Sequence, residues 1–161
     1  MALSDNYATF AAQYCKKTEK KRAFFPTHYA KAMMVEAFYI MIYCISKKMD
    51  VAGSHQLSLP YDSKCSRMHG HNWTITVFLA SEDVNAEGMV MDYSHIKKAI
   101  HGYLDHGYLN DLLPFNPTAE NIAAWVVHQF PQCYKAIVEE SIGNVAQAYD
   151  NEFPIDARYL L

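Results

Sequence analysis

The sequence predicts an α+β domain, an antiparallel sheet with two helices on one face, in the order strand, strand, helix, helix, strand, strand. Three observations carry this. Trp73-Thr74-Ile75-Thr76-Val77-Phe78-Leu79 alternates with period two, as a half-buried antiparallel strand does. Two later stretches carry apolar residues at helical spacing. The last third returns to short β-branched runs split by Gly143-Asn144.

The elements follow in order. Phe38 to Val51 is aromatic, aliphatic and β-branched and reads as a long first strand. Leu57 to Arg67 contains Pro60, Asp62 and several serines and reads as a loop that returns the chain for the second strand. Glu82 to Gly88 is a polar turn, and Met89-Val90-Met91 a short extended piece. A helix starts near Tyr93, with Ile96, Ile100 and Tyr103-Leu104 on one stripe. Thr118 is placed to cap a second helix, with Glu120 favouring the positive end of its dipole. Ile122, Trp125, Val126 and Phe130 form its apolar face, and Pro131 stops it. Ala136-Ile137-Val138 and Val145 to Tyr149 are the third and fourth strands. So small a sheet has open edges, which another copy of the chain commonly covers.

Residues 1–37 stand apart as an N-terminal extension, partly helical, ahead of a domain spanning 38–161. Their basic run of Lys16, Lys17, Lys20, Lys21 and Arg22 is expected to be a solvated face rather than an RNA contact. The 161 residues are 51% hydrophobic and carry a net charge of -3, enough to bury a core and without a basic field for nucleic acid. Ala32 to Ile45 is apolar apart from Glu36 but shorter than the ~20 residues that span a bilayer. Four widely spaced cysteines do not form a disulfide framework and point to a reducing cytoplasm.

The chemistry concentrates in Cys65-Ser66-Arg67-Met68-His69-Gly70-His71-Asn72. Histidines two apart on a strand share a face and can reach one metal ion. Gly70 between them is expected to let the backbone come close. His55 ends the preceding strand, so antiparallel pairing returns it to the same place. Three neutral imidazoles leave one tetrahedral position open, as catalytic zinc requires. Cys65 is either a fourth ligand or, as the open position favours, a reactive thiol whose pKa a nearby dication would depress. Asp105-His106 suggests a proton relay, although an Asp does not easily bond the His next to it. Glu139 and Glu140 point to opposite faces of their strand. The inward one could bind the amino-amidine edge of a pterin or guanine.

Taken together, these motifs resemble the 6-pyruvoyl tetrahydropterin synthase / 6-carboxytetrahydropterin synthase family. The resemblance runs through Ala52 to His55, Lys64 to Asn72, Gly88 to Tyr93, Leu104 to Asp111, Asn116 to Asn121 and Val138 to Ser141, and covers roughly Phe38 to Tyr149. It implies the T-fold (tunnelling fold), a homohexamer built as a dimer of trimers with active sites between subunits, and one zinc per subunit on His55, His69 and His71. It implies catalytic roles for Cys65, Asp105 and His106, a pterin anchor at Glu140, and Thr118 and Glu120 near the pterin. Only three residues separate Cys65 from His69. That short spacing resembles the carboxy-forming members of queuosine biosynthesis. It implies conversion of 7,8-dihydroneopterin triphosphate to 6-carboxy-5,6,7,8-tetrahydropterin, acetaldehyde and triphosphate. The alternatives are pyruvoyl-forming elimination of triphosphate and a pterin-binding homologue without catalysis.

Overall fold

The computed structural model of the chain describes residues 41–156 and 160. The expected extension 1–37 and the expected strand start at Phe38 lie outside the described residues. Strand β1 is Tyr43–His55 and β2 is His69–Ser81. They pair antiparallel without interruption from Tyr43 opposite Ser81 to His55 opposite His69. Both strands run further toward the histidines than the alternation indicated. Ala52-Gly53-Ser54 and Gly70 have small side chains and carry little period-two signal, yet they continue the ladder.

Helix α1 is Tyr93–Leu104, with Asp92 as its cap, accepting from the Ser94 N–H at 2.7 Å. Helix α3 is Ala119–Val127, capped as expected by Thr118, whose hydroxyl accepts from the Asn121 N–H at 3.3 Å. It stops at Val127, with His128 as C-cap, before Pro131 is reached. Strands β4 (Cys133–Ser141) and β5 (Asn144–Tyr149) form the closing hairpin. Gly143 takes φ +85° in the turn, a conformation that favours glycine.

Three details differ from the sequence reading. A two-residue strand β3 (Gly107–Tyr108) pairs parallel to β1, through Gly53 and Ser54, so the sheet is mixed with order β3-β1-β2-β4-β5. A single helical turn α2, Leu109–Leu112, follows at once. Elements this short have no periodicity to read. Met89–Met91 is not a strand. Asn85 ties it back instead, its Oδ1 accepting from the N–H groups of Glu87 (3.1 Å) and Met89 (2.8 Å).

The alternation in β2 is realised as the core. Trp73, Ile75, Val77 and Leu79 are almost fully buried against Ile96, Ile100 and Leu104 of α1 and Ile122 and Val126 of α3. Burying each large side chain contributes about 1.5–3 kcal/mol, so this face fixes the register. Gly107 has no room for a side chain, since a Cβ there would lie 2.5 Å from Leu112 Cδ1 and 3.0 Å from the Leu104 carbonyl. Among the described residues no helix is long and apolar enough to cross a membrane.

Candidate metal centre and proton relay

The β1–β2 register builds the site. Residues directly opposite in an antiparallel pair share a face, so His55 and His69 meet side by side. His71, two residues on, lies on the same face opposite Gly53. A Cβ on Gly53 would stand 3.3 Å from Leu109 Cδ2 and 3.5 Å from Trp73 Nε1, so a side chain there would press on the layer behind the histidines. Gly70 does not have the role expected of it, because a Cβ there would meet nothing closer than 3.7 Å. Trp73 packs edge-on against both His55 (4.9 Å) and His71 (5.4 Å), and its indole N–H donates to the Gly53 carbonyl at 3.2 Å.

The hydrogen bonds determine what the rings can do. His55 Nδ1 lies 2.9 Å from the Pro117 carbonyl, and His69 Nδ1 lies 2.7 Å from the Arg67 carbonyl. A carbonyl oxygen only accepts, so both Nδ1 atoms carry the hydrogen and both neutral rings present an Nε2 lone pair. These two Nε2 atoms face each other at 3.1 Å. Two lone pairs repel at that distance unless a cation lies between them. The third ring has a buried Nε2 with no hydrogen-bond partner, an arrangement costing about 1–3 kcal/mol unless a ligand relieves it. The ligating nitrogens of all three rings lie within 4.8 Å of one another. Nitrogens about 2.0–2.1 Å from a tetrahedral zinc stand roughly 3.3 Å apart. The donor set could therefore hold a metal ion such as zinc, with the tautomers of His55 and His69 already set for ligation.

Glu140 faces the same cluster, its Oε1 3.6 Å from His55 Nε2 and 3.9 Å from His71 Nε2. Glu139 points elsewhere and accepts from the Gly143 N–H at 3.0 Å in the hairpin turn. His55 is wholly buried. Burial pushes its pKa below the ordinary histidine value, against the upward pull of the Pro117 carbonyl. The metal-free protein should therefore lose stability on acidification. The unfolded chain takes up a proton at His55 near pH ~6.5 while the folded chain resists it. Denaturant unfolding between pH 8 and 5 is expected to show stability holding above about 6.5 and falling below it, and a His55→Phe variant should flatten that fall.

Asp105 and His106, the residues expected to relay protons, sit at the end of α1. Asp105 bonds its own neighbour, contrary to the expectation for adjacent residues, with His106 Nδ1 2.8 Å from Asp105 Oδ2. The geometry becomes possible because His106 takes φ +58°, the left-handed region, which turns its ring back onto Asp105. The strained backbone is pinned by the His106 N–H donating to the Ala52 carbonyl at 2.6 Å. The Ala52 N–H in turn donates to Asp105 Oδ1 at 2.9 Å. That bond, with the one from His106, holds the Asp105 carboxyl below the usual carboxylate range. The His106 side chain is 83% exposed. His71 and His106 both line an open cavity of about 390 Å³, with Ser54 and Asn72 among its walls.

Cys65 is exposed on a short 3₁₀ turn, Lys64–Ser66, capped by the Ser63 hydroxyl. Its thiol makes no hydrogen bond to His106 or to the histidine cluster among the described residues. Thr118 is occupied as a helix cap, and Glu120 is exposed in the first turn of α3. Sequence reasoning missed the Pro117 and Arg67 carbonyls and the Ala52 amide. Backbone groups leave no residue-type signal, so the sequence alone could not have found them.

A family model described as 6-pyruvoyl tetrahydropterin synthase matches residues 44–150. The chain belongs to that family. A 6-carboxy-5,6,7,8-tetrahydropterin synthase of Synechocystis sp. is 38% identical over 94 residues, covering 53% of this chain and 72% of the relative. A protein of the same description from Bacillus subtilis is 28% identical over 114 residues, covering 60% and 78%. Among solved structures, the Caenorhabditis elegans 6-pyruvoyl tetrahydropterin synthase superposes with a TM-score of 0.58 at 24% identity, covering 71% of this chain and 99% of that one. The fold is thus the T-fold the resemblance implied, and the family is one of pterin synthases.

Proposed function

We propose that this chain is a zinc-dependent carbon–carbon lyase that converts 7,8-dihydroneopterin triphosphate and one water to 6-carboxy-5,6,7,8-tetrahydropterin, acetaldehyde and triphosphate, in the cytoplasm, for queuosine (7-deazaguanine) biosynthesis. The observation that carries the reading is the histidine triad, with two Nε2 lone pairs turned toward each other by backbone carbonyls and Glu140 beside them. The names of the Synechocystis and Bacillus relatives support the same choice of product.

His55, His69 and His71 would hold the zinc, which would supply Lewis-acid polarisation of the substrate's side-chain oxygens. Glu140 accepts hydrogen bonds from the pterin's amino-amidine edge, a charge-assisted pairing that fixes the ring's orientation. Thr118 and Glu120 border the pterin. Cys65 takes a proton from the substrate side chain, and His106, oriented by Asp105, relays protons. The proposed assembly is a homohexamer, a dimer of trimers with active sites between subunits.

The second reading is 6-pyruvoyl tetrahydropterin synthesis, in which triphosphate is eliminated and the carbon chain stays intact. The short Cys65–His69 spacing favours the lyase. Incubating the zinc-loaded protein with 7,8-dihydroneopterin triphosphate and analysing the products decides between them. Acetaldehyde and the carboxypterin in equal amounts are expected. A pyruvoyl product without acetaldehyde would establish the second reading, and binding without turnover would leave a pterin-binding homologue.

A further inference from the structure

The chain leaving His55 is held by two asparagine side chains. Asn110 Oδ1 accepts the Gln56 N–H at 2.9 Å, and its Nδ2 donates to the Gln56 carbonyl at 2.8 Å. Asn116 repeats the pattern two residues on, accepting the Ser58 N–H at 2.9 Å and donating to the Ser58 carbonyl at 3.2 Å. In extended chain the backbone groups of alternate residues face the same way, so the two amides imitate a strand pairing with residues 56–58. Leu57, between them, turns its N–H to the Cys65 carbonyl at 2.8 Å. One edge of the segment is therefore gripped by asparagines, and the other grips the Cys65 turn.

Asn116 is itself fixed, since its carbonyl accepts from Asn121 Nδ2 at 2.9 Å. The next residue, Pro117, supplies the carbonyl that orients His55. The loop before α3 thus touches a metal ligand and, through Ser58 and Leu57, the thiol turn. An isolated neutral hydrogen bond contributes about 0.5–1.5 kcal/mol. Four of them converging on two residues, either side of the one bond to the Cys65 turn, restrict a segment that has no helix or sheet of its own.

We infer that Asn110 and Asn116 are positioning residues that fix the Cys65 turn relative to His55. The inference rests on the catalytic part given to Cys65 in the proposed function. Loss of either clamp leaves the histidines and their carbonyls in place and frees the thiol turn. A merely stabilising role would instead loosen the whole domain.

The test uses the full-length zinc-loaded protein with Asn110→Ala, Asn116→Ala and the corresponding Asp variants, which keep the acceptor and lose the donor. Without substrate, iodoacetamide labelling resolved by peptide mass spectrometry should show the Cys65 rate changed at least threefold, with the buried Cys133 and the half-buried Cys44 unchanged. With substrate, kcat should fall at least tenfold while KM and zinc content stay within twofold, and the Asp variants should fall between Ala and parent. An unchanged Cys65 rate overturns the inference. So does acceleration of Cys133 alongside Cys65 in the Asp variants, or loss of zinc with the activity. Because the labelling arm involves no turnover, it stands whichever product the enzyme makes, and a failure of the proposed reaction shows only in the product analysis.

Discussion

Replacing His69 with alanine is expected to abolish both stoichiometric zinc and turnover while leaving the domain folded. The ring lies at the end of the β1–β2 ladder, opposite His55, and is only partly buried. Its loss removes little core, so the unfolding midpoint of the metal-free protein should move by no more than a few degrees. The metal is another matter. Disturbing only an outer partner of a zinc ligand commonly costs 10–100-fold in affinity, and removing a ligand costs more, so a decrease of at least ~100-fold is expected. Metal analysis after dialysis reads this directly. The facing pair of Nε2 lone pairs also disappears, so the metal-free variant should be no less stable than the metal-free parent. A variant that retains one zinc per chain would sink the ligand assignment.

The second large effect is at Glu140, where replacement by glutamine should weaken pterin binding by roughly 10–100-fold, the equivalent of the ~1.5–3 kcal/mol carried by a charged hydrogen bond. Glutamine keeps the shape but offers an amide in place of a carboxylate. Zinc should remain, because the three imidazoles supply the donor set. Glu140 Oε1 nevertheless stands 3.6 Å from His55 Nε2, close enough for the zinc measurement to matter. Loss of metal in Glu140→Gln would make the carboxylate a ligand and close the position that the substrate needs. Glu139→Gln serves as the control. Its carboxylate is engaged with the Gly143 amide, so substrate affinity should stay within about twofold; a large effect there would reverse the two faces of β4.

The parts of the site that were legible in the sequence are those that periodicity reports. Alternation from Trp73 to Leu79 gave a core face, and stepping back along it put His71 and His69 on that same face. Antiparallel return then delivered His55. The caps were equally readable, since Thr118 before an apolar stripe has a mechanism as well as a frequency. Other features depended on contacts far apart in the chain. The parallel strand β3 is two residues long, and its existence depends on Gly107 fitting against Leu112 and the Leu104 carbonyl. The bond from Asp105 to its neighbour His106 depends on a left-handed residue whose amide is held by Ala52, more than fifty positions earlier.

The sequence by itself determined the α+β order, the histidine triad and the family, because residue type and spacing along a strand already specify which side chains share a face. The tertiary structure decided how those side chains are prepared. Carbonyls of Pro117 and Arg67 set the tautomers, register shows that Glu140 rather than Glu139 looks toward the rings, and two asparagines hold the segment that leads to Cys65. The physical reason is that a ring's protonation and a loop's position are set by backbone hydrogen bonds from distant segments, and every residue carries the same backbone.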